Sequence, residues 1–108
     1  MTFTVNGVKW KIKYVNPFSD DLRRSDGSLT VGMTDWEKRS VFLSNRLTGA
    51  FYRKVLAHEL VHCFMFSHSI NIPIEEEEYI ANWVAEYGTE LIYLLDDLVG
   101  RTRKAYIA

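Results

Sequence analysis

The hydrophobic period changes once along this chain, and that switch dictates the order in which its secondary structure is laid down. Val8, Trp10, Ile12 and Tyr14 alternate with Lys9, Lys11 and Lys13. A period of two, with one apolar and one basic face, predicts a half-exposed β-strand. From about Thr48 the spacing lengthens. Phe51, Val55, Leu56, Leu60 and Phe64 recur at three- and four-residue steps, which predicts a helix with one apolar side. Strands first and helices second predict an α+β fold, a small and mainly antiparallel sheet packed on two main helices.

The punctuation agrees with this order. Asn6-Gly7 stands before the alternating run and favours a tight hairpin, Asn16-Pro17 ends the run, and Asp26-Gly27 marks a turn within the polar residues 19–28. Residues 29–34 and 39–44 read as two more strands, joined into a hairpin by Asp35-Trp36-Glu37-Lys38. The first helix breaks across residues 67–73. The second is expected from about Ile74 to Leu98, ending near Gly100, with Gly88 kinking or weakening it. Along it Ile80, Val84, Tyr87, Leu91, Leu95 and Leu98 form an apolar stripe expected to enter the core.

Composition narrows the class of protein. A chain of 108 residues, 47% hydrophobic and 25% charged, is long enough for one domain with one core and is not disordered. A net charge of -1 argues against gripping phosphate backbones or anionic bilayers, so neither nucleic acid nor membrane is an expected partner. No apolar run has the length of a membrane-spanning helix, and the first residues lack a signal-peptide pattern. Cys63 has no second cysteine to pair with, which suits a reducing compartment. A cytoplasmic location is the expectation.

The chemistry lies in His58-Glu59-Leu60-Val61-His62, an HExxH pattern on the first predicted helix. Residues four apart on a helix sit about 40° apart around its axis, one turn along. His58 and His62 can therefore aim two imidazoles at one point, and zinc accepts such ligands readily. Glu59 falls about 100° from His58, beside the metal and placed to act as a general base toward water. In a chain this short the pattern arises by chance well under ~1% of the time.

A catalytic zinc takes three protein ligands and keeps one position open. Two residues compete for the third place. In the acidic run Glu75-Glu76-Glu77-Glu78, three residues read as a solvated first turn favoured by the helix dipole. Glu78 shares a stripe of small or polar residues with Ala81, Asn82, Ala85 and Thr89. Such a stripe permits close approach to the HExxH helix, with Glu78 facing the metal and Asn82 able to hydrogen-bond a ligand. His68 is the alternative. It completes the spacing HxxxHxxxxxH, which metzincin peptidases share, although Met65 stands where that pattern needs glycine and no methionine follows the motif.

With these residues in view, the chain resembles the ImmA/IrrE-type minimal zinc metallopeptidases. They carry HELxH and then a helix of the form E-x-x-A-x-x-F-A, here Glu78-Tyr79-Ile80-Ala81-Asn82-Trp83-Val84-Ala85. Ala81 and Ala85 match the two alanines, and Val84 replaces the phenylalanine. The resemblance spans roughly residues 29–95. It implies Zn²⁺ held by His58, His62 and Glu78, with Glu59 as catalytic base, in a metalloendopeptidase acting on a protein or peptide substrate. It also implies carriage by phages or mobile elements and cleavage of transcriptional repressors, although no sensing or DNA-binding domain is evident. Two other families fit less well. The YbeY type has glycine where Glu59 stands, and peptide deformylases need an upstream EGCLS motif that the chain lacks.

Other readings stay open at this point. A fourth protein ligand would make the metal a tie between helices in a non-catalytic binding module. A metal-dependent endoribonuclease draws only on the basic segment Arg101-Thr102-Arg103-Lys104. For a peptidase, Tyr52, Tyr87 and Tyr93 are candidates to stabilise an oxyanion, and substrate is expected along a sheet edge near residues 41–44. Trp10, Trp36 and Trp83 read as core or rim aromatics and Cys63 as a small buried hydrophobe. Nothing in the pattern specifies an oligomeric state.

Overall fold

Asn6 and Gly7 adopt φ of +47° and +80°, the pair of positive values that a type I′ hairpin turn demands. They join β1 (Thr2–Val5) to β2 (Val8–Val15), pairing Phe3 with Trp10 and Val5 with Val8. The computed structural model describes residues 1–107, with side chains as far as Thr102. After a short 3-10 turn (Asp20–Leu22) come β3 (Gly32–Asp35), β4 (Ser40–Ser44), α1 (Gly49–Ser67) and α2 (Ile74–Ile107). The fold is α+β.

The sheet order is β1-β2-β4-β3. β1–β2 and β3–β4 are antiparallel hairpins, while β2 and β4 pair in parallel, with Ile12 opposite Val41 and Tyr14 opposite Leu43. The chain leaves β2, passes the far side of the sheet to form β3, and returns between them as β4. The sheet is thus mainly antiparallel with one parallel ladder at its centre. This placement corrects the expected substrate edge: residues 41–44 lie in an interior strand bonded on both sides, and β3 is the edge.

The alternation in β2 does what its period requires. Trp10 and Ile12 are buried while Lys9, Lys11 and Lys13 face solvent. Trp10, Ile12, Val41, Leu43 and Cys63 form the core between sheet and α1, with Leu56 and Phe66 packed against it. The Trp10 indole N–H donates to Ser67 Oγ at 2.9 Å, and the Asn6 amide donates to the Ser67 carbonyl at 3.0 Å. These bonds pin the last turn of α1 to the first hairpin. Leu22 is also fully buried, from a segment whose polar composition gave no sign of it.

β3 lies so close to α1 that its first residue must be glycine. A Cβ built on Gly32 would stand 2.7 Å from Val55 Cγ1 and 3.3 Å from Glu59 Cγ. This contact sets the distance between the edge strand and the HExxH residues.

Three expectations about the helices need correction. α2 runs through both Gly88 and Gly100 to Ile107. Phe51 and Phe64, assigned to the buried side of α1, are more than half exposed. The deepest line on that helix is instead Glu59, Cys63 and Ser67. The apolar stripe of α2 does not enter the core either: Tyr87, Leu91, Leu95 and Leu98 are each about half exposed. The reason is geometric. α2 meets α1 through the stripe containing the fully buried Ala81, and a helix cannot turn two separated faces toward one neighbour. α1 is also shorter, 19 residues against 34, or about 28 Å against about 51 Å. The Arg53–Thr89 hydrogen bond and the Lys54–Glu86 ion pair mark where the start of α1 meets α2. No described helix is long and apolar enough to cross a membrane. Of the basic segment, the side chains of Arg103 and Lys104 lie outside the described residues, as does Ala108.

Candidate metal centre

His58 and His62 project from the middle of α1 on one side, one turn apart, with Nε2 atoms 3.3 Å from each other. α2 starts after the break at 68–73 and runs back along α1, which carries the carboxylate of Glu78 to both rings. Glu78 Oε1 lies 2.8 Å from His62 Nε2, and Oε2 lies 3.3 Å from His58 Nε2. Ligand atoms of His58, His62 and Glu78 all fall within 4.8 Å of one another. Two imidazole nitrogens and a carboxylate oxygen, converging from two helices, form a group that could hold a metal ion. The chemistry and spacing of the three groups fit a divalent transition metal.

Glu59 is buried beside His58, its Oε2 3.9 Å from His58 Nε2. Burial pushes its carboxyl above the usual range; the nearby His58, a hydrogen bond from Thr34 and the more distant His62 pull the other way. The Thr34 hydroxyl donates to Glu59 Oε1 at 3.0 Å. That bond orients the carboxylate and favours its charged form. Thr34 belongs to β3, and a threonine in a short edge strand carries no local mark of this role in the sequence.

Glu77 departs from expectation. Rather than belonging to a solvated first turn, it is largely enclosed and accepts a 2.5 Å hydrogen bond from His62 Nδ1–H. This bond holds the ring in the tautomer whose Nε2 lone pair faces Glu78 and His58. The face of α2 that carries Glu78 also carries Glu77 at its margin, so helix geometry alone could have drawn attention to it. Glu75 and Glu76 are exposed as expected.

His68 does not join the group. It is the C-terminal cap of α1, where its backbone N–H bonds Phe64 O and its ring stacks on Phe64 at 5.9 Å. Asn82 lines the cleft beside the site, but among the described residues it makes no hydrogen bond to the three ligand groups. Cys63 is fully buried, and burial, with the Glu59 carboxylate second, pushes its thiol up to about 12. It stands outside the group of His58, His62 and Glu78, and a thiol buried in this way is held in its unreactive protonated form.

The three groups open on a cleft of about 1230 Å³. One wall is the β3 edge with the preceding residues 30 and 31, and the opposite wall is the α2 face around Glu78, Asn82 and Glu86. Trp36, Phe66 and Ile70 line one end. Tyr52, Tyr87 and Tyr93 do not line it; Tyr52 hydrogen-bonds Tyr14 through their hydroxyls at 2.6 Å. Compared with known proteins, the chain matches no protein-family model and no curated protein.

Proposed function

We propose that this protein is a zinc-dependent metallopeptidase of minimal size, with a zincin-like arrangement of the ImmA/IrrE type. The observation that carries the reading is the convergence of three protein ligand groups, His58, His62 and Glu78, with a buried carboxylate, Glu59, beside them at the wall of an open cleft. Three ligands leave a position for substrate or water, whereas a structural site closes with four. This weighs against the metal-stabilised binding module.

A zinc ion held there would polarise a scissile carbonyl and bring the pKa of water to about 7. The chain's own residues do the rest. Glu59, held by Thr34, accepts the proton of the attacking water and delivers it to the departing amine. Burial raises its proton affinity, the direction that favours holding the proton between the two steps. Glu77 fixes the His62 ring. The outer edge of β3 pairs with nothing in the described chain and faces the cleft, so an extended peptide can add to the sheet there and present its carbonyls to the site. Substrate is thus a protein or peptide in extended form, and the family resemblance points to transcriptional repressors in a cytoplasmic, phage-borne setting. Neither nucleic acid nor membrane is a partner in this reading, and the near-neutral charge disfavours the ribonuclease alternative.

The test is Glu59→Gln. Zinc content by atomic absorption stays at one per chain, while hydrolysis of an unfolded protein or a repressor panel falls by at least a thousandfold. Undiminished hydrolysis, with zinc retained, would remove Glu59 from its role.

A further inference from the structure

The outer face of α2 has no neighbour among the described residues. Ile80, Val84, Tyr87, Leu91, Leu94 and Leu98 follow one another at alternating steps of four and three residues, the spacing of a coiled-coil seam. Val84 is half-buried and the other five are exposed. The seam runs about 27 Å, beside the face that packs on α1 and on past the end of α1. At roughly 80 Å² for each half-exposed side chain, these six with Trp83 and Leu95 offer on the order of 650 Å². That exceeds the patch an ordinary monomer leaves open and approaches the ~800 Å² per partner of a stable interface.

We propose that this face pairs with the same face of a second copy of the chain, the two α2 helices running antiparallel about a two-fold axis. Reversing the helix against itself sets Ile80 opposite Leu98, Val84 opposite Leu94 and Tyr87 opposite Leu91. Each pair occurs twice, and no apolar layer meets a polar one. This self-complementarity is what an isologous interface requires. Charge selects the direction. α2 opens with the exposed Glu75 and Glu76, whereas Arg101, paired with Asp97, stands toward its far end. The antiparallel arrangement brings Arg101 of one helix toward the acidic start of the other, whereas a parallel one stacks the two Glu75-Glu76 starts together. Glu90 approaches its counterpart near the axis, an exposed like-charge contact of small cost beside six apolar layers. A bilayer is the poorer occupant, because the helix flanks carry Glu86, Glu90, Asp96 and Asp97, opposite in sign to the basic flanks of interfacial helices.

The experiment is sedimentation equilibrium of the full chain, repeated for Leu91→Glu/Leu94→Glu, together with disulfide trapping of mixed chains that each carry one added cysteine beside the buried Cys63. The wild type is expected near 25 kDa, twice the 12.6 kDa of one chain. The double variant is expected at 12.6 kDa with its helical circular dichroism and zinc content kept. Under mild oxidation, Ile80→Cys mixed with Leu98→Cys gives the mixed disulfide in preference to either self-paired one. A wild type that stays monomeric overturns the proposal, and so does a monomer that sediments with phosphatidylglycerol vesicles. A dimer untouched by the double variant places the contact elsewhere and also overturns it. Disulfides of Ile80→Cys with itself would overturn the antiparallel direction. None of these readouts depends on peptidase activity.

Discussion

Removing the Glu77 carboxylate tests how the proposed metal centre is held together. In the structure Glu77 touches no ligand position directly; it accepts the Nδ1–H of His62, whose Nε2 faces Glu78 at 2.8 Å. Glu77→Ala frees the imidazole to rotate and to exchange tautomers, so part of the binding free energy of zinc goes to re-ordering the ring. Outer partners of metal-bound histidines are worth about 10- to 100-fold in affinity, or about 1.4 to 2.7 kcal/mol. Glu75→Ala supplies the control, because it removes the same charge two residues away, from an exposed side chain. Competition against a fluorescent zinc chelator at neutral pH reads both constants. The expected result is a dissociation constant raised 10- to 100-fold for Glu77→Ala and less than about threefold for Glu75→Ala. Equal shifts in the two variants would show that charge alone acts at a distance. No shift in either would refute the orienting role of Glu77.

Three further outcomes follow from the packing and the buried groups. Gly32→Ala forces a Cβ within 2.7 Å of Val55 Cγ1 and is expected to cost about 1–3 kcal/mol in urea unfolding; pairing it with Val55→Ala should recover most of the loss, and a neutral Gly32→Ala would show that β3 is not held against α1. The Cys63 thiol, pushed up to about 12 by burial, should resist iodoacetamide at pH 8 in the folded protein and react fully in urea. Rapid labelling of the native state would contradict its placement. Glu59, raised by burial, holds its proton in the metal-free fold to a higher pH than in the unfolded chain. Its contribution to stability is therefore greatest below the ordinary carboxyl range and is lost as pH rises through the native value. Glu59→Gln should flatten that slope in urea titrations run in EDTA, and an unchanged slope would place the titrating group elsewhere.

Much of this protein was legible in its local sequence because the signals involved are short-ranged. The period-two run of β2 and the Asn6-Gly7 turn define the first hairpin, the spacing of His58 and His62 defines a shared direction on α1, and the small-residue stripe through Ala81 identifies which side of α2 can approach α1. Glu78 was reached by that last route. Each of these rests on the geometry of one helix or one strand pair, which successive residues determine without reference to the rest of the chain.

Other features exist only because distant segments meet. β4 slots between β2 and β3, a parallel pairing that no local period announces, and this turns the expected edge at 41–44 into the centre of the sheet and makes β3 the wall of the cleft. Thr34 reaches Glu59 across 25 positions of sequence and Glu77 reaches His62 across 15; their hydrogen bonds depend on how the elements dock. The stripe on α2 shows the same division. Its apolar period is written in the sequence, but whether it faces a core or solvent was decided by the length of α1 and by the tighter fit of Ala81 against it. Periodicity determines that a face is apolar, and tertiary packing determines what covers it.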